Sequence, residues 1–230
     1  MNAQGKYAGD EMTGGFLDVE KLTIRLDDKI FVYDFSCAKG ECVGILGPSG
    51  SGKTTFFRGL TGLERAVSGS IRLDGADITR LQVHKRRIAL MFQDYAIFEN
   101  LTVERNLKFV LLANRIRHSK WSGMIDDILQ FTGLSDKRKQ MSGTLSGGEK
   151  QRLALARCLI IPPKVLLLDE PFNSLDSDMK ASIAERLSET RRKFGITVLI
   201  ISHDETDFTK LLSCDRIVRI EDMLRRETSR

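Results

Sequence analysis

The sequence predicts an α/β fold with a mostly parallel sheet, an N-terminal antiparallel β subdomain and an inserted helical subdomain. Three observations carry this. Short, wholly apolar strands ("CVGIL", "VLLL", "ITVLII") alternate with helical patterns, as expected for strands buried on both faces. The first part of the chain is instead rich in strand patterns joined by Asp and Asp-Gly turns. Residues 94–144 carry helical periodicity and no strong strand.

In chain order, Phe16 to Leu26 reads as a strand, and "KIFVYDFSCA" reads as its partner across the Asp27-Asp28 turn. "ECVGIL" (41–46) is a short apolar strand running into glycines, with a helix expected from Lys53 to about Leu63. "SGSIRLDGADI" reads as a strand with an Asp-Gly turn, and "RRIALMF" as another short strand. Helices are expected within "NLTVERNLKFVLLANRI" and "WSGMIDDILQFTGL". A helix should begin at Ser146, because a hydroxyl at the N-cap with Glu149 three residues on is a capping box. "KVLLLD" reads as a strand and "SDMKASIAERLSETRRKF" as a helix, in which Met179, Ile183, Leu187 and Phe194 recur near helical spacing before Gly195 ends it. "ITVLIISH" reads as a further buried strand. The expected organisation is a flexible lead over 1–15 and one domain over 16–230, with a core of 16–93 and 145–222 around the helical subdomain 94–144.

The 230 residues are 41% hydrophobic and 29% charged, which is enough for a self-supporting core without disulfides or a structural metal. The four cysteines (Cys37, Cys42, Cys158, Cys214) form no C-x-x-C and have no His cluster beside them, so they read as small buried residues in a reducing compartment. The N-terminus has no apolar signal region, and no apolar run is long enough to span a bilayer. The net charge is +5, with basic clusters at "HKRR" (84–87), "DKRKQ" (136–140) and "LRRETSR". Without interleaved aromatics these read as solvated surface, and no nucleic-acid partner is expected.

"GPSGSGKT" matches the phosphate-binding pattern G-x-x-x-x-G-K-[ST] between a predicted strand and a predicted helix, which makes the core a P-loop NTPase core. Gly47, Gly50 and Gly52 free the backbone to wrap oxyanions, with Pro48, Ser49 and Ser51 completing the loop. Lys53 brings a point charge to the outer phosphates, Thr54 is placed to ligate Mg²⁺, and Thr55 follows at the helix start. "VLLLDE" sets two acids at the tip of an apolar strand: Asp169 to hold Mg²⁺, directly or through water, and Glu170 to polarise an attacking water. His203 ends another apolar strand, at the sheet edge where parallel sheets bind ligands. Gln93 closes "LMFQ" and opens the helical stretch.

These motifs occur in an order that resembles the ATP-binding subunit of ABC transporters, from about Phe16 to Ile220: GPSGSGKT, the Gln of "MFQD", "LSGGE", the acids of "VLLLDEP", "NSLD" and the His of "ISHD". The resemblance implies ATP and Mg²⁺ as cofactors and a head-to-tail dimer, with a second copy or a homologous ATPase subunit. In that dimer Ser146, Gly147 and Gly148 contact the γ-phosphate of the partner's ATP. It implies catalytic roles for Glu170, His203, Gln93 and Lys53, metal contacts from Thr54, Gln93 and Asp169, and communication across the dimer through Asp176. The family's adenine-stacking aromatic falls at Leu26 or a neighbour, with Phe31 and Tyr33 in the following strand, so the adenine contact is unassigned. Glu149 stands where many members carry Gln. "DEPFNSLD", with Phe172 after Pro171, resembles importers with separate permease chains.

The resemblance therefore implies ATP hydrolysis that powers solute import through transmembrane permease subunits, with a solute-binding protein in the complex, at the cytoplasmic face of the inner membrane. The short C-terminal end leans toward members such as thiamine or molybdate types. An exporter or cell-division ATPase, and a non-transport ATPase acting on nucleic acid, are the alternatives.

Overall fold

A computed structural model describes residues 15–172 and 177–225. The lead 1–14 and the "NSLD" segment with Asp176 lie outside the described residues.

Two sheets form. The first is antiparallel, in the order β2-β1-β4-β5, from β1 (Leu17–Leu26), β2 (Lys29–Cys37), β4 (Ala66–Leu73) and β5 (Ala76–Asp77). The second is a five-stranded parallel sheet in the order β6-β7-β8-β3-β9, from β3 (Cys42–Leu46), β6 (Ile88–Met91), β7 (Val165–Asp169), β8 (Thr197–Ser202) and β9 (Arg216–Arg219). The helices are α1 (Lys53–Thr61), α2 (Val103–Ala113), α3 (Trp121–Thr132), α4 (Gly147–Leu159), α5 (Ser177–Phe194) and the single turn α6 (Ile220–Met223).

Side chains alternate across a strand, and this divides the interior into two cores. Val43, Ile45, Val165, Leu167, Leu199 and Ile201 join the antiparallel sheet and Phe56, Phe57 and Leu60 of α1. Leu166, Leu168, Val198 and Ile200 join α2, α3, α4 and α5. Both faces of the central strands β3, β7 and β8 are covered, which is why these strands read as apolar runs.

Strand and helix expectations hold, with differences at the ends. Helix α1 stops at Thr61 because Gly62 takes a left-handed C-cap (φ 80°). The Asp74-Gly75 turn has both residues left-handed, as a tight hairpin needs. Strand β9, α6 and a π-helical turn over Asp207–Leu211 have no counterpart in the sequence reading. β9 is a four-residue edge strand without a fully buried residue, so no hydrophobic run announces it.

Two sequence expectations need correction. "HKRR" is not all solvated surface: Arg86 is 6% exposed, and its guanidinium donates to the carbonyls of Gly59, Leu60, Thr79 and Leu81. Carbonyls left open near the end of α1 attract a cation with a planar fork of donors. The cysteines are not all fully buried: Cys37 and Cys42 are, whereas Cys158 and Cys214 are partly buried.

The β1–β4 pairing contains a bulge around Lys21, which is left-handed at φ 47°. Opposite it, Gly69 (φ 88°) lies so close that an added Cβ would be 2.2 Å from the Lys21 carbonyl oxygen. Gly75 (φ 77°) faces open space. Gly75→Ala is therefore expected to lose about 1 kcal/mol, the backbone strain alone. Gly69→Ala should lose roughly 3 kcal/mol, since the bulge must also move. Denaturant unfolding of the two variants checks this, and equal losses would contradict the packing argument.

Candidate functional site

The parallel register brings the C-terminal ends of β3, β6, β7 and β8 to one edge, and the candidate residues follow those ends. The phosphate loop joins β3 to α1, Gln93 follows β6, Asp169 and Glu170 close β7, and His203 follows β8. A cavity of about 470 Å³ opens there, lined by Ser49 to Thr55, Gln93, Asp169, Glu170, Phe31 and the Leu26–Lys29 turn. A cleft of about 500 Å³ beside β4 contains neither the phosphate loop nor an acid.

Gly50 (φ 76°) and Gly52 (φ 97°) hold the loop in left-handed turns. Gly52 gives α1 no side-chain cap, so the N–H groups of its first turn are available to an anion. An added Cβ on Gly52 would lie 2.7 Å from both the Phe31 ring and the Tyr33 hydroxyl. Tyr33 donates 2.8 Å to the Gly52 carbonyl from a buried position, and Phe31 stacks on Tyr33 with ring centroids 6.0 Å apart. The antiparallel sheet thus fixes the floor of the loop. Lys53 is curled back, donating 2.7 Å to the Gly47 and Pro48 carbonyls.

Thr54 donates 2.9 Å to Asp169. Asp169 is 5% exposed, and burial is the main reason its carboxyl is held above the ordinary carboxylate range; the Thr54 hydrogen bond opposes this and the Glu170 charge adds to it. Asp169, Thr54 and Gln93 all line the cavity, and carboxylate, hydroxyl and amide oxygens are donor types that suit a hard divalent cation. The charge of such a cation would offset the cost of burying Asp169.

Glu170 is left-handed at φ 50°, an uncommon conformation for a residue with a side chain, and its N–H donates 3.0 Å to Ile201. Its Oε2 lies 2.9 Å from His203 Nδ1. A carboxylate can only accept, so Nδ1 carries the proton in this pair. The turn bearing His203 is held from below: buried Asp207 accepts 2.6 Å from Ser202, whose hydroxyl accepts 3.0 Å from Asp204 N–H. The sequence reading missed Tyr33, Ser202 and Asp207 as supports. Only their places, in or after strands that bear on the loop, marked them.

Gln93 is exposed on the cavity. Tyr95 (φ 61°) and Ala96 (φ 44°) follow it in consecutive left-handed conformations. The segment is held by Asn106, fully buried, which brackets the Phe98 peptide with bonds of 3.0 Å to its N–H and carbonyl. It is held also by α4, where Arg157 donates to the Ala96 carbonyl and covers the Phe98 ring, and Lys150 reaches Glu99 at 2.6 Å.

The capping box at the start of α4 is formed in full: Glu149 N–H donates 3.3 Å to Ser146 Oγ, and Ser146 N–H donates 2.9 Å to Glu149 Oε2. That backbone hydrogen bond is the main reason the Glu149 carboxyl sits below its ordinary range. Ser146 and Gly147 are exposed, Gly148 is buried, and none of the three lines the cavity of their own chain.

Comparisons with known proteins agree with this arrangement. A family model described as "ABC transporter" matches residues 32–173. The chain is 39% identical over 194 residues to an Fe(3+) ions import ATP-binding protein of Photobacterium profundum, covering 84% of this chain and 55% of that protein. It is 36% identical over 198 residues to a spermidine/putrescine import ATP-binding protein of Thermotoga maritima, covering 85% and 54%. The chain thus spans about half the length of the curated relatives it matches. Among solved structures it is similar to cbiO1 of Clostridium perfringens, part of an ABC transporter complex, with TM-score 0.77, 30% identity and coverage of 89% and 84%. It is also similar to a dimeric ATP-binding cassette in a post-hydrolysis state bound to ADP and Pi, with TM-score 0.76, 25% identity and coverage of 88% and 93%.

Burial of Asp169 predicts a pH-dependent gain. Between the ordinary carboxylate range and its raised value the folded state holds more protons than the unfolded chain, so stability falls as pH climbs through that window and stays lower above it. Asp169→Asn should therefore make the ligand-free protein more stable at neutral pH, with the advantage shrinking as pH falls through the window. Unfolding curves across pH test this, and an Asn variant that is less stable at neutral pH would contradict it.

Proposed function

Because the chain belongs to the ABC transporter family of ATP-binding domains, we propose that it binds ATP at the β3–α1 loop and hydrolyses it to drive solute import through separate membrane permease chains. The observation that carries the reading is the Glu170–His203 pair beside a phosphate loop whose Thr54 is bonded to Asp169. One water-activating group and one charge-holding set converge on one cavity.

In this reading the loop residues Gly47, Pro48, Ser49, Gly50, Ser51, Gly52 and Thr55 wrap the phosphates with backbone N–H groups, and Lys53 turns from its two carbonyls to the outer phosphates. Thr54, Asp169 and Gln93 hold Mg²⁺, whose charge when bound neutralises the phosphate oxygens. Glu170 orients a water in line with the γ-phosphate and takes its proton. His203, fixed through Ser202 and Asp207, holds the Glu170 carboxylate and faces the γ-phosphate. Catalysis is then positioning and charge, without a covalent intermediate. Leu26 and Phe31 supply the apolar wall for the base.

Ser146, Gly147 and Gly148 serve the ATP of a second copy or of a homologous subunit, placed head to tail. Two observations support this: Ser146 and Gly147 at the α4 start are exposed, and the α4 start is absent from its own chain's cavity. Nucleotide state at Gln93 passes through the strained 95–96 turn to the helical subdomain 94–144, where the permease chains dock. Among the described residues no helix is long and apolar enough to cross a membrane, so the reading assigns the membrane path to those partners at the cytoplasmic face. Iron and polyamine import among the relatives favours import over export, with a solute-binding protein in the complex.

Glu170→Gln is expected to bind ATP as the wild type does, to lose at least about 100-fold in turnover, and to run as a dimer in gel filtration with ATP and Mg²⁺. Wild-type turnover in this variant would remove Glu170 as the base. Ser146→Arg should leave ATP binding to the monomer intact and abolish turnover. Full hydrolysis by dilute, monomeric wild type would overturn the shared site.

A further inference from the structure

We propose that Cys42 and Cys214 are an oxidisable thiol pair that forms an intramolecular disulfide when the protein meets a peroxide. Their sulfurs lie 3.4 Å apart, although the residues are 172 positions apart in the chain. Closing to a disulfide bond requires an approach of about 1.4 Å, within the reach of side-chain rotation and a small backbone adjustment.

The pair is positioned by a double backbone clamp. Asp215 N–H donates 2.9 Å to the Cys42 carbonyl, and Cys42 N–H donates 2.8 Å to the Asp215 carboxylate. Arg191 of α5 locks that carboxylate at 2.6 Å and donates 2.8 Å to the Gly40 carbonyl. Ser213, left-handed at φ 46°, turns the chain just before Cys214. The register between β3 and β9, Val43 opposite Arg216, extends this clamp into the sheet.

The chemistry is unevenly distributed among the four cysteines. Burial pushes the Cys37 and Cys158 thiols up to about 12, which keeps them protonated and unreactive. Cys42 is lowered, chiefly by its contact with the Cys214 sulfur, and Arg191 adds to this. Cys214 is raised by the same contact and by burial, yet it is the less buried member, which a peroxide can reach. Cys42 is therefore the sulfur poised to take the Cys214 proton across the contact.

The Cys214 sulfur attacks one peroxide oxygen as its proton passes to the Cys42 thiolate. The O–O bond breaks, the departing hydroxide leaves as water, and Cys214 becomes a sulfenic acid. The Cys42 sulfur then attacks the Cys214 sulfur, the S–O bond breaks, and the hydroxyl leaves as a second water with the Cys42 proton. Two thiols lose two electrons to one peroxide. The new bond ties the start of the strand feeding the phosphate loop to the connection that begins at His203 and ends at β9.

The test is peptide mapping and intact mass of the wild-type protein after stoichiometric hydrogen peroxide. The expected result is the loss of two hydrogen masses, a Cys42–Cys214 cross-linked peptide, and reversal by dithiothreitol. A Cys37→Ser/Cys158→Ser variant should behave in the same way, and Cys214→Ser should not cross-link. Closing so long a loop should raise the melting midpoint by on the order of 5 °C, lost again on reduction. Oxygen addition at Cys214 without a cross-link, a cross-link through Cys37 or Cys158, or an oxidised form melting no higher than the reduced one would each overturn the proposal.

Discussion

Parallel hydrogen bonding among β6, β7, β8 and β3 is the constraint on which the rest of the structure depends. Parallel strands end together. The register that sets Asp169 beside Ile201 and Leu46 beside Ser202 leaves four loop starts on one edge, and each carries one functional residue or motif. A sheet with one strand reversed would send one of these groups to the far end. Full burial of both faces keeps the strands straight and apolar to their tips, so polar chemistry begins only where the strands stop.

The antiparallel sheet is more than a lid on the core. Through Tyr33 and Phe31 it braces Gly52, the residue that leaves the helix start uncapped. The other core, made by α2 to α5, braces the opposite flank: Gln151 of α4 donates to the Pro171 carbonyl just past Glu170, and Arg157 and Asn106 secure the stretch after Gln93. Three of the left-handed non-glycine residues, Glu170, Tyr95 and Ala96, lie between these two supports, each shortly after the end of a strand.

Much of the fold was legible in the sequence because its signals are local. Alternation and apolar runs marked the strands of both sheets, and Ser146 with Glu149 marked the start of α4. The phosphate loop, Asp169, Glu170 and His203 were legible as motifs; the fold brings the loop and the two acids to one cavity, and His203 to Glu170. What escaped was set by tertiary context. β9 is too short and too exposed to carry a pattern. Arg86 looked like one more surface charge until the carbonyls near the end of α1 were seen to surround it. Asp207 and Ser202 matter through one buried hydrogen bond. Cys42 and Cys214 are neighbours only because β9 lies against β3.

The curled Lys53 has a consequence for ligand choice. In the free chain its ammonium already rests on two carbonyls, each such charged contact contributing roughly 1.5–3 kcal/mol. A newcomer gains only the surplus over that resting state. Any anion that draws Lys53 from the two carbonyls must replace both contacts. The loop thus carries its own internal competitor for the Lys53 ammonium.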